Sequence, residues 1–293
     1  MATYVGSALR RDFPDMQQHW ATETMCLPVF DVPRFADRLI EVPRQRWKKA
    51  RMSPSTWAEQ FRVYFDLRRE AYDVGFDFQG HSKTALMLRI AKPKVRWSMP
   101  ATDALARRLN PCVAPGPENQ HQVDRLFDVV RPWKPIETIQ STILPDYRGK
   151  VAAPVKPLLT IQTGGSFADK IIPIDALSVV GERALSAGWE VKFLGGPGDP
   201  VPREGCGENL VGKTGLAASL GWVHHSSVHL CGDTGTGHFA AGCDVPTLVV
   251  FTSSRNHPDR YAPYGRSAEV LHAYQDSSLL DPEVLWARVS ARF

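Results

Sequence analysis

The segment Gly205-Cys-Gly-Glu-Asn-Leu-Val-Gly-Lys-Thr contains chemistry-bearing residues at a well-known spacing. Gly207, four intervening residues and Gly212-Lys213-Thr214 satisfy the G-x-x-x-x-G-K-[ST] pattern of a phosphate-binding loop. Such a loop works when a buried strand feeds it and a helix leaves it, so that backbone N–H groups converge on phosphate. Here three prolines precede it in GGPGDPVPREGC and no strand does, so an ATPase or GTPase is not expected. Gly235-Thr236-Gly237-His238-Phe239-Ala240 fits the dinucleotide pattern G-x-G-x-x-A and does follow a strand-like run. The next strand ends VVFTSS without the acid that would hold a ribose, which argues against a nicotinamide oxidoreductase. A diphosphate at this helix start remains attractive, with Asp233 and Thr234 at the strand–helix junction.

The elements needed to position these residues can be read from the periodicity. In the second half, PLLTIQT (157–163), WEVKFLGG, SSVHLCGD and VPTLVVF have strand character. They alternate with helical runs at 174–188, GLAASLGWVHH, TGHFAAGC and the closing SLLDPEVLWARVSARF. The first half is less regular: helices are expected over GSALRRDF, SKTALMLRIA and HQVDRLFDVV, and strands over MQQHWA, RLIEV and YDVGFDF. The proline-rich stretch 132–157 reads as a linker. Short strand–helix alternation on both sides of it predicts an α/β protein with two doubly wound, parallel-sheet domains, 1–150 and 151–293.

The 293 residues, 43% hydrophobic and 23% charged, have the composition of a globular protein. The longest apolar run, PTLVVF, is far below the roughly 20 residues of a bilayer span. No secretory signal is apparent at the N-terminus, and the location expected is cytoplasmic. Cys26, Cys112, Cys206, Cys231 and Cys243 form no C-x-x-C pair, so reduced thiols are expected and a zinc site is not. Residues 1–150 carry 24 Lys and Arg against 17 Asp and Glu; the rest carries 11 against 14. The densest basic cluster is Arg44, Arg46, Lys48, Lys49 and Arg51, read either as a solvated loop or as a surface for an anionic partner. Nucleic acid is not expected, because no recognition-helix or aromatic-interleaved motif accompanies it.

Asp233-Thr234-Gly235, His238, Ala240-Ala241 and Pro246-Thr247 together resemble the D-T-G-x-x-H-x-A-A…P-T hallmark of the heptosyltransferase-like glycosyltransferases, family nine. NLVGKTGL resembles that family's N-L-x-G-K-T-s-L segment, which would also account for the phosphate-loop match. YDVGFDFQGHSKTALMLRIAKP, HQVDRLFDVV and YAPYG are similar to further family segments, in the same order. The resemblance implies a GT-B-like fold of two facing Rossmann-like domains and a nucleotide-sugar donor held mainly by the second. It places Thr163, Gly164, Lys170, Asp233, Thr234, Gly235 and His238 at the donor, and Lys83 with His121 on the acceptor side. Arg44, Arg46 and Lys48 would meet acceptor phosphates or a membrane surface.

The implied activity moves a sugar such as heptose from an ADP-sugar to an anionic glycan or lipopolysaccharide-type acceptor, by inverting displacement without metal or cofactor. The protein would sit in the cytoplasm, at the inner face of the membrane. The family pattern also implies a first strand and a Gly-Asp turn ahead of the helix that reads ATYVGSALRRDFPD here. That strand and its general-base Asp are missing from the sequence, so a reduced N-terminal sheet is expected, and Asp77, His81 and His121 are the substitute bases considered. The alternative is a catalytically reduced nucleotide-binding or assembly protein on the same fold.

Overall fold

A computed structural model describes residues 1–30 and 34–292. The chain divides into two compact units, Met1–Ile143 and Leu144–Phe293, and the division falls within the proline-rich stretch.

The second unit is a single six-stranded, all-parallel sheet with helices between its strands. Its elements are β5 (Leu158–Gln162), α7 (Ile174–Ser186), β6 (Glu190–Leu194), β7 (Glu208–Asn209), α8 (Leu216–His225), β8 (Val228–Gly232), α9 (Gly235–Gly242), β9 (Thr247–Val250), α10 (Pro258–Tyr261), β10 (Ala268–Leu271) and α11 (Pro282–Ser290). The strand order is β10-β9-β8-β5-β6-β7. β8 and β9 are buried throughout and β5 nearly so, which is why LLTI, VHLCG and TLVV read as continuous runs rather than alternating ones. Leu159, Ile161, Leu177, Val180, Phe193, Leu230 and Leu248 form the centre of the core. α7 lies so close to the sheet that a Cβ on Gly181 would run into the Cys206 carbonyl and stand 2.9 Å from the Phe193 ring.

The first unit comprises α1 (Ala2–Asp12), β1 (His19–Glu23), β2 (Arg38–Val42), α2 (Arg44–Lys49), α3 (Pro54–Arg69), β3 (Val74–Asp77), α4 (Ser82–Ala91), β4 (Val95–Ser98), α5 (Ala104–Leu109) and α6 (Gln122–Val130). Its strands form two separate parallel pairs, β1 with β2 and β3 with β4. Among the described residues no strand joins the pairs. Residues of β1, of β3 and of the turn after β3 instead line a cavity of about 310 Å³, Trp20, Thr22, Phe76 and Phe78 among them. Trp20 stacks on Phe78 with ring centroids 5.7 Å apart, and also contacts Phe30 and Phe35. Side-chain packing therefore carries the cohesion that a continuous backbone ladder carries in the other unit. α1 and α6 pack on each other, their buried faces built from Val5, Ala8 and Leu9 and from Val123, Leu126, Phe127 and Val130.

Two expectations are corrected. The basic cluster is not a loop: Arg44–Lys49 is the short helix α2, anchored by buried Trp47, whose indole N–H donates to Glu59 at 2.8 Å. The first strand begins at His19 rather than Met16. Gln18 is tied instead through its N–H to Asp37 (2.7 Å) and through its side chain to the Gly6 carbonyl (3.3 Å).

The close approach of α7 gives a test of the second unit. Gly181→Val should destabilise it by about 1–3 kcal/mol, read as a lower denaturant midpoint with an unchanged slope. An unaltered midpoint would contradict the tight packing of helix on sheet.

Candidate active site

In an open parallel sheet a ligand crevice forms outside the carboxyl ends of the strands, where the strand order reverses. In the second unit that point lies between β5 and β8, because the chain moves from β5 outward to β6 and β7 and then returns to β8 on the other side. The residues that follow these two strands meet there. Lys170, in a short 3-10 turn after β5, places Nζ 2.6 Å from Asp233 Oδ2, two positions before α9. The side chains are only 7% and 11% exposed. Asn256, in the loop after β9, donates from Nδ2 to the same carboxylate oxygen at 2.7 Å. Three strand ends thus converge on one carboxylate.

Around this pair the site is built closely. Thr163, at the end of β5, is buried, with its N–H on the Leu194 carbonyl at 2.9 Å. Gly164 lies directly against the Asp199 carboxylate, which accepts the Gly196 N–H at 2.7 Å. Thr234 is the N-cap of α9 and makes no side-chain cap, so the first-turn N–H groups from Gly235 onward have no partner within the helix. Gly237 lets α9 close on β8: a Cβ there would stand 2.7 Å from Cys231 Sγ. His238 lies half-buried on the same helix. The Lys170, Asp233, Thr234 and Gly235 of the sequence reading are therefore brought together, with Thr163 and Gly164 beside them at the end of β5.

Several contributors were not singled out from sequence. Asn256 is one. A second group is Asp169, which accepts from Ser253 Oγ at 2.7 Å and pairs with Arg255 at 3.2 Å. The Ser253 hydrogen bond, then Arg255, holds its carboxyl below the usual range. Phe167 lies under both cations, 4.5 Å from the Arg255 guanidinium and 5.8 Å from Lys170 Nζ. The third is a hydroxyl–imidazole chain through the core. Ser226 Oγ donates to the Trp222 carbonyl (2.9 Å), so Thr160 Oγ1 donates to Ser226 (2.6 Å). Thr160 then accepts from His229 Nδ1 (2.8 Å), which leaves Nε2 to accept from Thr236 Oγ1 (3.1 Å). Thr236 in turn accepts from Thr234 Oγ1 at 3.0 Å. The proton of Thr236 is committed to His229 and that of Thr234 to Thr236, and only Thr234, at the end of the chain, can give up its bond and turn toward a ligand.

The GxxxxGKT match is not a phosphate cradle. Its residues form the edge strand β7 and a turn. The Val211, Gly212 and Lys213 N–H groups are committed to Asn209 Oδ1 (3.0 Å), the Gly195 carbonyl (3.0 Å) and the Leu210 carbonyl (3.0 Å). Helix α8 begins only at Leu216.

The first unit places its candidates differently. Asp77, at the end of β3, is buried, and its carboxylate accepts from the Gln79 and Gly80 N–H groups (2.9 and 3.2 Å), Thr84 Oγ1 (2.9 Å) and Ser98 Oγ (3.3 Å). Four donors on a buried carboxylate make it a turn-building group rather than a free base. His121 Nδ1 accepts the Val123 N–H at 3.1 Å as the N-cap of α6. His81 is exposed at the start of α4, with Nδ1 2.7 Å from Thr102 Oγ1, and Lys83 is exposed two residues on. Arg44 and Arg46 are held by Glu23 and Glu59, whereas Lys48 is exposed. All five cysteines are free, and burial pushes the Cys231 and Cys243 thiols up to about 12. No helix among the described residues is long and apolar enough to cross a membrane.

Burial lowers the His229 pKa to about 3. The native ring stays neutral while the unfolded ring binds a proton below about 6.5, so acid favours the unfolded chain between those values. Stability is full above pH 6.5 and declines toward pH 3 by roughly 1.4 kcal/mol per pH unit from this one group. His229→Gln should flatten the pH dependence of denaturant-derived stability between pH 7 and 5, and equal slopes in the two proteins would contradict a buried neutral ring.

Comparison with known proteins identifies the family of the chain. The family description "Glycosyltransferase family 9 (heptosyltransferase)" matches residues 61–281. Lipopolysaccharide heptosyltransferase 1 of Pseudomonas aeruginosa is 27% identical over 271 residues, 88% of this chain and 75% of that protein. Among solved structures, Escherichia coli heptosyltransferase WaaC with ADP superposes with a TM-score of 0.80 at 20% identity, over 98% of this chain and 93% of that one. Escherichia coli ADP-heptose heptosyltransferase II gives 0.77 at 16% identity, over 99% and 93%. The fold is thus α/β and GT-B-like, and the chain belongs to glycosyltransferase family 9, the heptosyltransferases.

Proposed function

We propose that this glycosyltransferase moves a sugar such as heptose from an ADP-linked donor to an anionic, lipopolysaccharide-type glycan. The observation that carries the reading is the buried Lys170–Asp233 pair beside the open start of α9, at the sheet's switch point. The similarity to a lipopolysaccharide heptosyltransferase, and to a solved heptosyltransferase holding ADP, supports the choice of donor and acceptor. One N–H of the Lys170 ammonium is held by Asp233, which leaves two for phosphate oxygens. The first-turn N–H groups of α9 and the Thr234 hydroxyl supply further donors where the leaving diphosphate gathers charge.

In the displacement, an acceptor hydroxyl attacks the anomeric carbon and the bond from that carbon to the diphosphate oxygen breaks. The electron pair leaves with ADP, and the hydroxyl proton passes to a base. Of the three candidates His81 fits best, because Asp77 is committed to four donors and the Nδ1 of His121 to its helix cap. Lys170 and the helix start provide the N–H donors for the leaving diphosphate, so neither metal nor cofactor is required in this reading. The acceptor's anionic, lipid-linked character would bring the protein to the cytoplasmic face of a membrane.

Calorimetric titration with ADP, without magnesium, tests the donor site. Lys170→Ala should weaken ADP by about tenfold or more, the loss of charge-assisted hydrogen bonds, and Asp233→Ala should also weaken it. His81→Ala should retain ADP affinity and lose sugar transfer. ADP binding indifferent to Lys170 would refute the site. Intact ADP binding without transfer of any ADP-sugar would favour the catalytically reduced alternative.

A further inference from the structure

Helix α3 exposes an aromatic stripe that nothing in the donor chemistry uses. Trp57, Phe61 and Phe65 recur every fourth residue, which sets them on one side of the helix. They are 49%, 72% and 59% exposed, and Met52 in the preceding turn is 75% exposed. The stripe has defined geometry. Trp57 Nε1 donates to the Arg51 carbonyl at 2.8 Å, so the one polar atom of the indole is committed and its hydrocarbon surface remains outward. The Arg69 guanidinium lies 4.8 Å from the centre of the Phe65 ring. α2 is fastened alongside, because Glu59 of α3 holds both the Trp47 indole and Arg46.

The exposed, unpaired charges around the stripe are basic. Lys48, Lys49, Arg51 and Arg62 are exposed and enter no ion pair among the described residues. The acids nearby are otherwise engaged or partly covered: Glu59 is committed to α2, Glu70 pairs with Arg38, and Asp66 is half-buried. Exposed aromatic rings next to unpaired lysines and arginines form an interfacial surface. Rings enter the boundary between headgroup and acyl chain, and the long cationic stems place their charges among anionic headgroups. A protein partner would have to offer a dense acidic surface and an apolar groove together, whereas an anionic bilayer offers both conditions everywhere.

We propose that the α2–α3 face of the first unit seats on an anionic phospholipid bilayer, with Trp57, Phe61 and Phe65 inserted and Lys48, Lys49, Arg51 and Arg62 on the headgroups. This docking is independent of the donor reading, since it involves no residue of the second unit and is measured without nucleotide.

The test is co-sedimentation of the full chain with vesicles of equal parts phosphatidylcholine and phosphatidylglycerol, alongside vesicles of phosphatidylcholine alone. Binding should be confined to the anionic vesicles, should fall with added salt, and should shift tryptophan emission to shorter wavelength. Lys48→Glu with Lys49→Glu should weaken it by about tenfold or more. Phe61→Ser should reduce it and, at an exposed position, leave the far-ultraviolet circular dichroism unchanged. Phe65→Ser provides the same reading should Phe61→Ser fail to fold. Equal binding to both vesicle types, or none to either, would overturn the proposal. So would sedimentation showing a dimer, without lipid, that Phe61→Ser converts to monomer, since the stripe would then be an interface between copies of this chain.

Discussion

The Lys170–Asp233 ion pair is the constraint on which the second unit is organised. A lysine ammonium at this depth is tolerated only with a charged partner at hydrogen-bond distance, and the desolvation of both groups offsets most of their attraction. Such a pair adds little to stability, so its value lies in what it fixes. It joins the segment after β5 to the segment after β8, the two strands between which the sheet changes direction. The arrangement depends on Gly232, where a Cβ would stand 2.8 Å from the Lys170 carbonyl oxygen. It also needs Asn256, which brings the loop after β9 to the same oxygen. Because Asp233 already neutralises Lys170 formally, the proposed attraction for a diphosphate would come from N–H groups left over rather than from net charge: two on the ammonium and those of the first turn of α9.

The polar chain through the core serves the same end from the opposite direction. Thr160, His229 and Ser226 occupy interior positions where apolar residues would pack at lower cost. Each member is satisfied, and the direction of every hydrogen bond follows from the Ser226 bond to a carbonyl that can only accept. A buried network with a single allowed proton arrangement is rigid, and its far end is the pair of hydroxyls at the start of α9. His229 therefore acts through Thr236 and Thr234, as a positioning residue and not as a group that exchanges protons with a substrate.

Much of the second unit was legible because its signals were local and mutually consistent. Continuous apolar runs gave β5, β8 and β9, and the D-T-G segment identified the β8–α9 junction. Lys170 and Asp233 were named separately, but their contact joins residues 63 positions apart and has no local trace. Asn256 and His229 were missed for related reasons: one lies in an irregular loop, and the other looks like any core residue of a buried strand. Helix α3 was not among the helices expected, and its Trp57, Phe61 and Phe65 have the period of a core face although they face outward. Trp47 hid α2, since a tryptophan among five basic residues does not announce that it is buried.

The two units achieve cohesion by different physics, and this bears on which of them can carry a precise site. In the second, six parallel strands share a continuous ladder, so a displacement at one strand end is resisted by backbone hydrogen bonds across the sheet. In the first, the ladder is interrupted between two strand pairs, and the contact between them relies on rings such as Trp20 and Phe78. Ring stacking is worth about 0.5–1.5 kcal/mol beyond area burial and lacks the directional demand of a ladder. Positions that need sub-ångström placement, such as the proposed donors to a leaving diphosphate, accordingly belong on the continuous sheet. Recognition by charge and apolar surface tolerates looser geometry, and the exposed basic and aromatic groups of α2 and α3 are carried by the interrupted unit.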